Sequence, residues 1–423
     1  MKWLAAFLLI AAAADPTPEI RYFQYQRSVQ PSSGASGQTC AVLDTRTFVH
    51  ASPELADLRL YRDASEVPYV IHSAVQHLPA PRPIAPLNLG RRKGKTVFDA
   101  DMPEGEYSDL QLNVSGQNFL ATVAVSGSQS ETGAATRIGS YTIFDFTGQR
   151  LGRSTVLHLP KSNFRVLHFE IGGPIEPDHV EGISAATAPA IEPKYLTVSD
   201  AIRFAQKGHD SVAEVAVPAH VPVDRIVFVP PAEPVIFSRD VSIEVAEMPQ
   251  EKDENAERLP PPVSGYGNLL RIHRVQEGHA INEERLVVDP PQVFLGASAK
   301  WTITVVNGDD APIRFTSVRL EMVQRNLCFE ATANASYVLY YGDKALVSPR
   351  YDYSAWFAPQ ANAPVATPGP EKINAGYEQR PDQRPFTEKH PALLWLALIV
   401  VILLLGLIAV RSAKRVEPPA QMP

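Results

Sequence analysis

The stretch Val156-Leu157-His158-Leu159-Pro160-Lys161-Ser162-Asn163-Phe164-Arg165-Val166-Leu167-His168-Phe169-Glu170-Ile171-Gly172 alternates apolar with polar residues on either side of a short polar turn. A period of two sends one face of an extended chain into a core and the other into water. The segment therefore reads as two half-buried strands. The same pair recurs as Leu286-Val287-Val288-Asp289-Pro290 and Trp301-Thr302-Ile303-Thr304-Val305-Val306-Asn307. Working outward, Tyr141-Thr142-Ile143-Phe144 corresponds to Leu269-Leu270-Arg271-Ile272. Val123-Ala124-Val125 behind Phe119 corresponds to Val241-Ser242-Ile243 behind Phe237. Asp109-Leu110-Gln111-Leu112 corresponds to Asp224-Arg225-Ile226-Val227. Each copy opens on a Lys-Gly turn, Lys93-Gly94 or Lys207-Gly208, and runs on to Pro174-Ile175 or Pro312-Ile313.

About eight short alternating strands per copy predict two tandem jelly-roll-like β-sandwiches, an internal repeat in a mainly β chain. The layout read from the sequence is residues 15–90 as an N-terminal β region and 91–190 as the first sandwich. Residues 191–357 form the second sandwich with terminal strands, and 358–390 a flexible Pro-rich tether. The second copy is lengthened by an acidic, proline-rich insert over 247–265. Proline outnumbers glycine, 38 to 24, which disfavours helices and suits strand ends and turns.

The two ends read as targeting and anchoring. Lys2 precedes an apolar run over residues 4–14 with small residues at Ala12 and Ala14, the form of a secretory signal peptide over 1–14. Residues 392–410 carry no charge. At about 1.5 Å per residue they cover roughly 28 Å, close to a bilayer core. One C-terminal transmembrane helix is therefore expected over 391–411. Arg411, Lys414 and Arg415 would open a short cytoplasmic tail, residues 412–423. The bulk of the chain would then lie in the periplasm of a bacterium, held single-pass in the inner membrane. In an oxidising space Cys40 and Cys328 either bridge or stay as two buried thiols, and both readings stand.

The net charge of −7 shows no basic face, so a nucleic-acid partner is excluded. Gly90-Arg91-Arg92-Lys93-Gly94-Lys95-Thr96 is one residue short of a phosphate-binding loop and falls where the repeat places a turn. His168 and Glu170 share a strand face but make no zinc motif. No catalytic or cofactor-binding residue stands out. Asp99, Asp101, Glu104 and Glu106 offer oxygen ligands at the close spacing that Ca2+ uses. They are read equally well as strand carboxylates facing water. Tyr351, Tyr353, Trp356 and Phe357 crowd near the end of the second copy and read as a recognition surface or as a last core layer.

The stretches "ADLRLYRDASEVPY" (56–69), "VPVDRIVF" (221–228), "FSRDVSIEV" (237–245), "NGDDAPI" (307–313) and "YVLYYGD" (337–343), with the later "LLWLAL" (393–398), resemble a bacterial family of single-pass envelope proteins, the domain of unknown function 3999. The resemblance implies a bacterial inner membrane and a periplasmic β-rich body, and brings no catalytic residues. The expected role is a membrane-anchored, non-catalytic binding or scaffold protein of the cell envelope. Its partners would be the membrane, through the C-terminal helix, and another envelope or polytopic membrane protein. A glycan-binding module is the alternative, and an envelope enzyme of unknown reaction comes third.

Overall fold

A computed structural model describes residues 17–413 apart from 33, 35, 74–80, 150, 188–192, 249–258, 277–278, 294–295, 361 and 382–390. The signal segment over 1–14, most of the acidic insert and the tail beyond 413 lie outside the described residues.

The alternating strands build two sandwiches with one strand order. In the first, a six-stranded sheet runs Arg153–Ser154, Thr136–Asp145, Leu120–Ser128, Val166–Gly172, Lys95–Asp101, Leu87–Arg92. The facing sheet runs Val156–Ser162, Tyr107–Val114, Val180–Thr187, Arg82–Ile84. Inward residues of both close one core, with Phe98, Val123, Phe169 and Ile171 meeting Leu110, Leu112, Leu157 and Ile183. Phe98 and Phe169 are direct cross-strand partners, and their rings stack at 4.6 Å.

In the second sandwich the larger sheet runs His279–Arg285, Val263–Gln276, Ile236–Glu247, Ala299–Val306, Asp210–Val217, Ala205–Lys207. The smaller one runs Val287–Val288, Arg225–Val229, Ser317–Val323, Tyr195–Ser199. Strands that read alike in the two copies occupy equivalent places in both sheets. Without the two edge strands of each larger sheet, the order that remains is that of a jelly roll. Trp301 is 1% exposed at the centre of the second core, among Val241, Ile243, Phe237 and Leu320.

The strands after the second copy do not extend it. Arg325–Ala331 and Tyr337–Tyr341 pair instead with the N-terminal region in a nine-stranded sheet. Its main path is Ser65–Val67, Arg59–Arg62, Tyr337–Tyr341, Tyr25–Gln30, Val365–Pro368, Gly37–Leu43, Arg325–Ala331, Tyr69–Ser73. The expected tether over 358–390 is therefore structured in part. Val365–Pro368 lies between two strands, antiparallel to one and parallel to the other, and Lys372–Ile373 pairs with Tyr25–Gln30. Asn374 is buried and donates to the Ile20 and Phe23 carbonyls at 2.8 and 3.0 Å. Such short main-chain pairings need no apolar alternation, so composition alone reads as loop.

Two devices lock this composite domain. Cys40 and Cys328 face each other in register and form a disulfide across 288 residues of sequence. The Asp57 carboxylate, fully buried, accepts the Ser52 amide at 2.7 Å on one oxygen and the Gly342 and Asp343 amides at 2.6 and 3.0 Å on the other. Burial pushes the Asp57 carboxyl above its ordinary range, against the pull of those amides.

Residues 378–423 form a separate unit, which contains the helix Pro391–Ala413. Among the described residues no helix is long and apolar enough to cross a membrane, which overturns the expected transmembrane helix over 391–411.

Candidate ligand-binding surfaces

Three surfaces merit description. The first lies where the sandwiches meet. Phe144 and Phe146 of the first pack on Leu270, Ile272 and Ile281 of the second in a closed apolar cluster. Arg285 donates to the Arg153 carbonyl at 2.6 Å across the seam. Behind it sits Asp145, 2% exposed. Its carboxylate accepts the Thr147 amide and hydroxyl at 2.9 and 2.6 Å and pairs with Arg153 at 3.2 Å. Burial raises the Asp145 carboxyl, but these donors outweigh it and hold it below the ordinary range.

A folded-state value below the unfolded one stabilises the protein at pH above the ordinary 3.8. That stability drains as pH falls through the lowered native value. Acidification is therefore expected to lower the amide protection factors along Thr136–Asp145 in this chain, and less so in Asp145→Asn. Equal acid sensitivity of the two proteins would contradict the assignment.

Beside the seam opens a polar cleft of about 960 Å3, lined by Arg239, Asp240, Asn268, Arg285, Asn307 and Asp309 among others. Arg239 is 8% exposed, pairs with Asp310 at 2.9 Å and keeps its Nε unbonded. Asn307, 4% exposed, donates to the His209 carbonyl and the Ser211 hydroxyl at 3.1 and 2.9 Å, and its Oδ1 has no partner. A buried donor and a buried acceptor without partners are costly. A hydroxyl group can serve either one, since it both donates and accepts.

The second surface is at one end of the second sandwich, where segments 200–206 and 312–317 enclose about 650 Å3. Phe204 and Phe315, half-buried, line it, with ring centroids 5.8 Å apart. Phe228 backs Phe315 at 5.2 Å. Arg203 and Arg314 are exposed, one on each wall. The sequence reading missed this place because the two segments are far apart in the chain and each ends in turn residues. Setting the copies side by side exposes the signal. With Lys93-Gly94 on Lys207-Gly208 and Pro174-Ile175 on Pro312-Ile313, Phe204 falls on Gly90 and Arg314 on Glu176.

The third surface holds the aromatic residues expected to recognise a partner. The structure divides them. Tyr351 is tucked in, its hydroxyl donating to Glu66 and its ring set edge-on to Tyr69 at 5.2 Å. Tyr353 donates to Glu330 at 3.0 Å, and its ring meets Phe357 at 5.9 Å. Trp356, 84% exposed, stands out from the short helix Tyr353–Trp356. Tyr351 is thus packed in, while Trp356 faces solvent.

Of the carboxylates expected to offer a calcium site, Asp99 and Asp101 lie on the strand Lys95–Asp101, and Glu104 and Glu106 in the turn after it. Asp99 meets His168 Nδ1 at 2.6 Å and accepts from Asn88 at 2.8 Å. Glu104 faces Arg165 at 3.5 Å, and Asp101 and Glu106 are exposed. Among the described residues no group of three or more histidine, cysteine or acidic side chains is placed to hold a metal ion.

No family model and no curated protein matches the chain. Among solved structures it is similar to the CBM32-1 and CBM32-2 domains of Clostridium perfringens ZmpB in complex with GalNAc, at 9% identity and TM-score 0.21, over 69% of this chain and 98% of that one. It is also similar to truncated AlyQ with CBM32 and alginate lyase domains, at 10% identity and TM-score 0.18, over 65% and 98%. At such scores the likeness fixes neither topology nor ligand.

Proposed function

We propose that this chain is an exported, non-catalytic binding and scaffold protein of the bacterial cell envelope. The observation that carries the reading is the Cys40–Cys328 disulfide. It closes the domain made from both ends of the folded chain, and such bonds persist where thiols are not kept reduced. The shifted carboxylates support a structural body: Asp57 is spent on main-chain amides, and Asp145 and Glu321 on arginines. Cell fractionation with thiol trapping tests the proposal. The protein is expected outside the cytoplasm with both cysteines oxidised. Recovery in the cytoplasm with two free thiols would refute it.

A second reading, a glycan-binding module, is favoured by the polar cleft at the seam. Its leftover donor and acceptor match hydroxyl chemistry, and its walls mix amides with charges of both signs. A glycan array probed with the full chain is expected to return hits, and a blank array removes this reading.

A further inference from the structure

We infer that the cleft of Phe204, Phe315, Arg203 and Arg314 binds an acidic oligosaccharide, one whose sugar rings carry carboxylates. The inference rests on the glycan reading and goes beyond it, to a second cleft apart from the one at the seam. Its first support is charge. Arg27, Arg59, Arg153, Arg225, Arg239, Arg271, Arg319 and Arg325 each pair with a carboxylate. Among the described residues Arg203 and Arg314 have no such partner, yet they face the same opening from separate segments. A guanidinium forks onto a carboxylate with two parallel hydrogen bonds.

The second support is shape. Two phenyl rings in the lining offer apolar faces, on which the C–H face of a pyranose packs. About 650 Å3 lies within the range of small-ligand sites. Asp200 and Gln206 at the rim supply acceptors for hydroxyls. An added peptide strand is a poorer fit, because Ala205–Lys207, the edge strand of the larger sheet at this rim, is three residues long.

The third support is the other copy. Equivalent positions in the first sandwich hold Leu89, Gly90 and Glu176, and there Arg91 pairs with Glu176. One strand order thus forms with or without the aromatic and cationic set, so the fold does not require it.

Calorimetry on the full chain with galacturonate and mannuronate trimers, neutral trimers of equal length and an acidic hexapeptide tests the inference. The uronates are expected to bind, and to weaken roughly tenfold or more in Arg203→Ala/Arg314→Ala and on raising salt. These arginines are exposed, so their loss spares the fold. Neutral trimers bound equally well, with no effect of the double variant, would overturn the inference and keep the glycan reading. Tighter binding of the peptide would also overturn it. Failure of every sugar here together with a blank array would overturn both.

Discussion

Trp301→Ala is expected to cost about 3–5 kcal/mol, the usual penalty for emptying a buried aromatic site. Trp301 sits on the central strand of the larger sheet, opposite Val215 and Val245, and fills the space between the two sheets of the second sandwich. Its indole Nε1 has no hydrogen-bond partner. Trp301→Phe therefore gives up volume without orphaning a polar group and should cost much less, about 1–2 kcal/mol. Hydrogen exchange over Asp210–Val217 and Ile236–Glu247 reads both variants without relying on tryptophan emission. Equal losses for Ala and Phe would show that the core does not depend on ring packing at this position.

The second large effect is expected at Asp57. Asp57→Ala leaves the Ser52, Gly342 and Asp343 amides buried without an acceptor, at about 1–3 kcal/mol each. The composite domain should lose about 3 kcal/mol or more. Asp57→Asn is not a rescue. One end of its amide can accept from Gly342 and Asp343, but the other then presents a donor to the Ser52 donor. The pH dependence has a definite sign. The folded-state carboxyl titrates above the ordinary 3.8, so the native protein keeps this proton longer than the unfolded chain. The stabilisation from Asp57 is largest below that value and declines as pH rises through the window up to the native one. The gap between the natural protein and Asp57→Ala should narrow over the same window, as urea titrations at several pH values would show. A gap that widens would reverse the assigned direction.

The parts of the architecture that were legible obey a local rule. Val166–Gly172 and Ala299–Val306 alternate because each has one wet and one dry face. Reading that alternation twice was enough to see two equivalent sandwiches. What was not legible depends on long-range pairing. Tyr337–Tyr341 looks like a further strand of the second copy, yet its partners are Tyr25–Gln30 and Arg59–Arg62, at the opposite end of the chain. Val365–Pro368 and Lys372–Ile373 are held by main-chain hydrogen bonds, which leave no mark on residue choice. The cysteines stayed open for the same reason, since only the register of Gly37–Leu43 on Arg325–Ala331 brings them face to face.

The candidate sites divide in the same way. Asp99, Asp101, Glu104 and Glu106 are close in sequence, but they divide between a strand and the turn after it, and Asp99 is already held by His168 and Asn88. Tyr351 and Trp356 are five positions apart and differ in role, because one ring reaches Tyr69 and the other reaches water. The cleft of Phe204 and Phe315 belongs to neither strand pattern. It shows in sequence only as a difference between copies, where Gly90 and Pro177 stand in place of the two rings.

The two ends of the folded chain meet in one domain, closed by the Cys40–Cys328 disulfide. Non-reducing digestion of the full-length protein, isolated with thiols trapped at lysis, tests that most directly. A single linked pair of peptides, one carrying Cys40 and the other Cys328, is the result expected by mass spectrometry. Both cysteines recovered as separate alkylated thiols would contradict it.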